Sequence, residues 1–388
     1  MNGHSIHTRL SEMRSKAFIV GITGLVLCAI GAYLEPKQFF ISYLFGYVFW
    51  LGLALGCFGF LMIHHLTGGR WGFPVRRFYE AGIMTLPLMA LLFIPICFGL
   101  QYLYVWTDAR AVAANPTLQH RSEYMTPAGF MIRAAIFLAL WSGAALSMNK
   151  WSLQQDGTTD IDPTRKLRTL SGPGILLYPL TATFVLVDWI LSLEPDWFST
   201  MFLVLIVIGQ MLSGLAFSIL LLAWFRKCDP YAGIVTESHF HHLGMLLFAF
   251  IMLWTYMAFS QLLIIYSGNL PHEIAWYTHR VAGDWIVVVW ILIVFHFSIP
   301  FFLLLSRDIK RNANILATLA FVVLIAHLVN DYWLIAPSFS PTGIHLHWLD
   351  IAAPAGVGGI WLAAFAHRLK GHPLLVTNDP RQQPVHAT

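Results

Sequence analysis

The stretch TATFVLVDWILSLEPDWFST at 181–200 decides how this chain folds, because it sets a carboxylate, Asp188, inside an apolar run that begins near Gly174. In a soluble protein such a run would be a core segment. In a bilayer it is a spanning helix with an acid in it. Composition selects the second reading. The chain has 388 residues, 57% hydrophobic and only 11% charged, with a mean hydropathy of +0.67. Soluble domains carry roughly 25% charged residues, so the sequence is that of an all-α, polytopic membrane protein. The net charge of +4 then reflects basic loops and gives no reason to expect nucleic acid. Cys28, Cys57, Cys97 and Cys228 are scattered, with neither a disulfide framework nor the motifs of iron–sulfur or c-type haem sites. No metal site is expected. The first apolar run follows Arg9, Arg14 and Lys16 and lacks a small-residue cleavage site, so it reads as a retained helix and not a signal peptide.

Runs long enough to cross about 30 Å of hydrocarbon fall at 17–34, 41–65, 81–106, 128–149, 173–194, 198–225, 243–267, 281–306, 313–336 and 349–367. The whole chain, 1–388, is thus one integral membrane domain of ten helices, with 371–388 as a tail. An even number of crossings puts both termini on one side. That side holds 18 of the 23 Lys and Arg, so the positive-inside rule makes the termini and the tail cytoplasmic. Asp188 then lies in the outer third of the membrane, where Trp189, Trp197 and Phe198 form an interfacial belt. The loops at 107–127 and 150–172 are too short to be domains.

An internal echo suggests duplication. LVDWILSLEPDWF closes the fifth helix and LVNDYWLIAPSF the ninth, and each is preceded by an Arg, Arg133 or Arg280, at the start of the previous helix. The expectation is two four-helix bundles, 41–194 (helices 2–5) and 198–336 (helices 6–9), with helices 1 and 10 flanking them as parallel repeats. On the fifth helix Tyr178, Thr181, Asp188 and Ser192 share one face; on the ninth, His327 and Asp331 are a turn apart. On the seventh, Tyr256, Ser260 and Ser267 share a face with Gln261 beside it. Polar stripes on apolar helices are expected to face the interior or water.

Asp188, Asp331 and His327 are candidate proton-pathway or quinone-headgroup contacts. The competing reading pairs Asp188 with Arg133 and Asp331 with Arg280, so that no net charge is buried. Both stay open. His296 and His327 sit mid-membrane but about 9 Å apart in depth at 1.5 Å per residue, which argues against a shared b-type haem. Gln261, His296 and Tyr256 are the remaining quinone candidates. IHHLTGGRWGFPVRR at 63–77 reads as a helix end with basic anchors; a proton inlet through His64, His65 and Glu80 is the alternative. Gly52 and Gly56 form a GxxxG suited to close helix packing. AGVGG at 355–359 lies inside a helix with no preceding strand, so it is not a nucleotide loop.

YLFGYVFWLGLALGCFGFLMIHHLTGGRWG, TATFVLVDWILSLEPDWFST, LLFAFIMLWTYMAFSQLLIIYSGNLPHE and LDIAAPAGVGGIWLAAF together resemble the NrfD/polysulfide-reductase-C-like membrane anchors. The similarity is greatest to the ActF-type subunit of alternative complex III, a quinol:electron acceptor oxidoreductase of the bacterial cytoplasmic membrane. The resemblance implies two four-helix bundles with two flanking helices, and a subunit that is not catalytic alone. It would support quinol oxidation and conduct protons without a redox cofactor of its own, menaquinone or another quinone being its one small-molecule contact. The implied partners are a homologous NrfD-like subunit, a periplasmic iron–sulfur protein, multi-haem c-type cytochromes and a terminal oxidase, with haem and clusters confined to them, and lipids. A pure scaffold and a secondary transporter are the alternatives. Where the family pattern opens the seventh helix with Asp-Leu-Gly-Lys, this chain has His242-Leu243-Gly244-Met245, which removes a proton inlet built on that Asp and Lys.

Overall fold

The computed structural model describes residues 6–376 and 378–379; the tail beyond, at 380–388, lies outside the described residues. Among the described residues there is no strand, and ten helices are long and apolar enough to cross a membrane. They are α1 (Ile6–Leu34), α2 (Pro36–Thr67), α3 (Arg76–Phe98), α4 (Pro127–Asp156), α5 (Asp162–Leu193), α6 (Thr200–Phe225), α7 (Glu237–Gly268), α8 (Trp285–Leu305), α9 (Ala313–Ser338) and α10 (Leu349–Lys370). This is a multi-pass membrane architecture. Hydrocarbon offers no partner for an open backbone group, so each apolar run must close its hydrogen bonds internally as a helix.

Local sequence marks the ends. Thr126 Oγ1 accepts from Gly129 N ahead of Pro127 in α4. Asn312 Oδ1 accepts from the amides of Asn314 and Ile315 at the start of α9. Asn269 adopts a left-handed φ of 49° at the end of α7, a conformation Asn tolerates. Within α3, Pro87 and Pro95 each lack the amide that would continue the helix, and the chain there is broken into shorter pieces.

The loops differ from expectation. α4 runs to Asp156 and α5 starts at Asp162, so the expected 150–172 loop is mostly helix and only a tight turn joins the pair. Pro163 explains this: near a helix N-terminus its missing amide costs nothing and its φ is already helical. The 107–127 loop carries two short helices, Ala109–Ala114 and Pro116–Arg121. The eighth helix begins at Trp285, not 281. A separate helix, Pro271–Val281, precedes it, and Gly283 at φ +52° turns the chain between them.

Lys370 Nζ donates to Ser11 Oγ at 2.9 Å, so both ends of the chain reach one side, here the terminal face; the other is the distal face. α2 and α6 are the central helices, buried along nearly their whole length. α2 packs against α3, α5, α6, α9 and α10, and α6 against α2, α5, α7 and α9. α4 touches α3 and α5, while α8 touches α7 and α9. α1 lies along α10, with the rest of its surface exposed.

Missing side chains set two of these crossings. A Cβ on Gly56 would stand 1.9 Å from the carbonyl oxygen of Gln210, and one on Gly214 would stand 2.7 Å from the backbone of Gly56. A Cβ on Gly24 would meet Gly356 at 2.5 Å, and one on Gly359 would meet Gly21 at 2.3 Å. The AGVGG stretch is therefore a packing surface for α1. Where lipid is as apolar as the side chains, close backbone approach is a main source of helix association.

Gly56→Ala should lower the thermal unfolding midpoint in detergent by the equivalent of about 1–3 kcal/mol, the cost of overpacking a filled interface. Gly143 of α4 has nothing within 4 Å of a built Cβ, so Gly143→Ala should leave the midpoint unchanged or raise it. Equal effects from the two would contradict the crossing described.

Candidate functional site

At the distal end of the first half, the polar stripe of α5 turns inward: Tyr178, Thr181, Asp188 and Ser192 are all buried. Asp188 is held as an ion pair. Arg133 Nε donates to its Oδ2 at 2.7 Å and Nη2 to its Oδ1 at 3.0 Å, the two-pronged geometry a guanidinium gives a carboxylate. Arg133 also donates to the carbonyl of Tyr124 and lies 3.9 Å over that ring. Tyr124 lies outside the spanning helices; burial and the neighbouring Asp188 charge push its phenol up to about 12. Ser192 Oγ donates to the Asp188 carbonyl.

The second half does not repeat this. Arg280, expected beside Asp331, is 1% exposed and donates instead to Glu194 Oε1 at 2.7 Å. Its other nitrogen donates to the Leu334 carbonyl at 2.8 Å and to Ser338 Oγ at 3.0 Å. Ser338 in turn donates to Glu194 at 2.6 Å. The cause is the separate Pro271–Val281 helix, which carries Arg280 to the end of α9, beyond Asp331. There it stacks over Trp276, whose ring lies 4.6 Å from Trp197 at 14°. Burial lowers the Arg280 guanidinium to about 10, with the Glu194 charge opposing the shift, so it remains cationic at neutral pH. The EPDW segment thus clamps the two halves together.

Asp331 is left without a cation. Among the described residues no Lys or Arg lies within ion-pair distance of it, and the titratable side chain beside it is His327, with Nε2 3.8 Å from Oδ1. Gly209 of α6 makes the space for that imidazole, since a Cβ there would fall 2.5 Å from His327 Cε1. His296 follows, its ring centroid 5.8 Å from that of His327 and its plane 21° away. The depth offset read from the sequence closes because α8 starts at Trp285 and α9 runs to Ser338, which leaves His296 and His327 equally far from the distal ends of their helices; His296 itself sits in a π-helical turn, Leu292–Ser298. Pro300 supplies a cause, because it has no amide to bond the His296 carbonyl one turn back. Trp254 packs edge-on against His296 at 4.0 Å. Neither nitrogen of His296, nor Nδ1 of His327, has a hydrogen-bond partner among the described residues.

Of the quinone candidates on α7, Gln261 is buried but Tyr256 is 62% exposed and Ser267 is also exposed. The inward face is instead Leu243, Leu247, Ile251, Trp254, Gln261 and Ile265, so the 256/260/267 stripe points away from it. Stripe spacing alone does not say which side of a nearly all-apolar helix is covered.

Asp350, not singled out from the sequence, is buried at the distal start of α10. It accepts from Ser42 Oγ at 2.6 Å, Gln38 Nε2 at 3.2 Å and the His347 amide at 3.0 Å, with the Tyr332 hydroxyl at 3.4 Å. It closes one wall of a cavity of about 490 Å3 whose other walls include Trp285, Phe339 and His345. An Asp in the first turn of a helix was the available signal. On the terminal face, Glu80 is fixed by Arg76 at 2.8 Å, Arg77 at 2.5 Å and Ser152 at 2.6 Å. The start of the tail closes over this cluster through Asp379, 3.0 Å from Arg76, and Asn378. Glu80 is therefore bound in a charge network and not paired with His64 and His65. Among the described residues no group of three or more His, Cys, Asp or Glu is placed to hold a metal ion.

Fold and site together define an all-helical, multi-pass membrane protein with an Arg133–Asp188 and an Arg280–Glu194 pair at its distal end and Asp331 beside histidines without a guanidinium. No family model and no curated protein matches the chain.

Glu194→Gln should strand Arg280 and lower stability by about 3 kcal/mol, as breaking a buried pair does. Asp331→Asn breaks no such pair and should stay within about 1 kcal/mol. Thermal unfolding of the two purified variants checks the assignment; a larger loss for Asp331→Asn would return Arg280 to Asp331.

Proposed function

We propose that this chain is an integral membrane subunit of a quinol-oxidising respiratory complex of the alternative complex III type, and that it moves protons through its second half. The observation that carries this reading is Asp331. Asp188 and Glu194 have their charge fixed by a guanidinium, whereas Asp331 has only the Asn330 side chain and His327 beside it, with His296 beyond. A carboxyl whose charge no cation fixes is free to take up and release a proton. Imidazoles are the side chains best suited to pass one on. Unpartnered buried nitrogens cost about 1–3 kcal/mol each, and a packing role alone gives no reason to keep three of them together.

Tyr332, which follows Asp331 in the chain, reaches Asp350 at the distal cavity, so polar groups open to the water side begin one residue from the acid. In this reading the distal face is periplasmic, both termini are cytoplasmic, and the membrane is the bacterial cytoplasmic one. The long phrases that resemble the ActF-type subunit supply the context. Quinol, the iron–sulfur protein and the multi-haem cytochromes belong to the partners, and the chain is non-catalytic alone. The fixed pairs favour a second reading, a scaffold, because Arg133–Asp188 and Arg280–Glu194 hold helix ends together without exchanging protons.

Asp331→Asn should slow proton release coupled to quinol oxidation by about 100-fold, the scale of losing one proton-transfer group, in a complex that still assembles. Asp331→Glu should restore part of it. Purification of the wild-type complex should bring down a multi-haem cytochrome and an iron–sulfur protein. Unchanged coupling in Asp331→Asn would leave the scaffold reading, and absence of those partners would remove the respiratory assignment.

A further inference from the structure

Between α1, α6 and α10 the terminal half of the protein is indented by a groove of about 410 Å3. Its floor is Trp50, which donates to the Pro354 carbonyl at 2.8 Å and packs directly on Gly358, where a Cβ would fall 2.1 Å from the indole. Its walls are apolar: Met13, Ala17, Val20, Trp224 and Leu362. Its mouth is charged, with Arg9 and Lys16 on one turn-spaced edge of α1 and Glu12 between them. Arg9 donates one nitrogen to the Trp224 carbonyl at 3.1 Å. That contact anchors the guanidinium at the rim, with four of its N–H groups still to be used.

Two quantities identify the occupant. Below the Arg9–Lys16 rim the groove follows α10 from Leu362 to Pro354 for about 12 Å, at 1.5 Å per residue, most of the roughly 15 Å of one leaflet. The rim carries two cations against one carboxylate, which suits a single negative charge at headgroup depth. An apolar slot most of a leaflet long under a basic rim fits an anionic phospholipid. It does not fit a partner helix, which would leave both cations facing apolar surface. The opposite flank of α1 repeats the pattern: a groove of about 580 Å3 has Phe18, Ile19, Leu88 and Ile360 below Arg14 and His367.

We infer that the α1–α6–α10 groove is a binding site for an anionic phospholipid, its phosphodiester held by Arg9 and Lys16 and an acyl chain lying against Trp50, Trp224 and Leu362. The site would tie α1, whose sole extensive neighbour is α10, to the central helices. This inference does not depend on the respiratory assignment.

The full chain, in its complex and stripped of lipid by detergent, is titrated with phosphatidylglycerol or phosphatidylcholine and examined by native mass spectrometry. Phosphatidylglycerol should be retained at least threefold better. Arg9→Gln with Lys16→Gln should erase that preference. Lys150→Gln with Arg165→Gln, two cations elsewhere on the same face, should leave it intact. Ala355→Phe, which fills the groove and leaves the cations in place, should reduce retention of both lipids. Equal retention of the two lipids by the wild type, or the same loss from the Lys150/Arg165 variant, would overturn the site. So would full retention in Ala355→Phe.

Discussion

The structure depends on the contact between α2 and α6. With Gly56 and Gly214 lacking side chains, the backbones meet directly, and a methyl group on Gly56 would sit inside the van der Waals envelope of the Gln210 carbonyl. Everything peripheral is hung on this pair, since α3, α5, α9 and α10 pack against α2, and α5, α7 and α9 against α6. In a bilayer the hydrophobic effect does not distinguish a neighbouring helix from lipid, so a contact this close does the selecting. Successive residues of α6 then serve opposite halves. Gln210 accepts from Tyr178 of α5 at 2.9 Å, and Gly209 makes room for His327 of α9. A shift in the crossing would disturb the α5 stripe and the histidine chain together.

Three acids near the distal end are treated in two ways. Asp188 is gripped by Arg133, Glu194 by Arg280, and Asp331 by no cation. Burying an unpaired charge is expensive, and a buried pair recovers that cost only when its remaining donors and acceptors are also satisfied. The two pairs approach that condition through backbone carbonyls and hydroxyls, Tyr124 for Arg133 and Leu334 and Ser338 for Arg280, whose Nε is left without a partner among the described residues. Asp331 has only Asn330 and His327. It is therefore the one of these three acids that no guanidinium neutralises.

Much of the helical architecture was legible in the sequence. Apolar run length and the scarcity of charge placed all ten spans, and the period of α5 identified its inward face. The GxxxG of α2 announced a close crossing. What was not legible depended on facts outside the sequence's local period. Arg280 looked like a counterpart of Arg133, but the break at Gly283 puts it on another helix and another acid. Tyr256 and Ser267 share a face, yet which face of α7 is covered depends on where α6 and α8 lie. His296 lies at the depth of His327 because α8 starts at Trp285 and α9 runs to Ser338, boundaries that apolar run length alone does not fix. Asp350 passed unnoticed because its partners, Gln38 and Ser42, are more than 300 positions away.

The echo between LVDWILSLEP and LVNDYWLIAP now has a different meaning. Both segments set an acid near a Trp at the distal end of a helix, and the similarity invited an equal role for each. What separates them is the Arg. In the first half it sits on the helix just before the acid and reaches it. In the second, an extra helix carries the Arg beyond its own acid, to the glutamate that ends the first segment. The same displacement thus accounts for two features at once: the clamp joining the halves through Glu194, and the release of Asp331 from any cation. A chain with two faithful repeats would have two neutralised carboxylates and no candidate for proton movement. The departure from symmetry is what creates one.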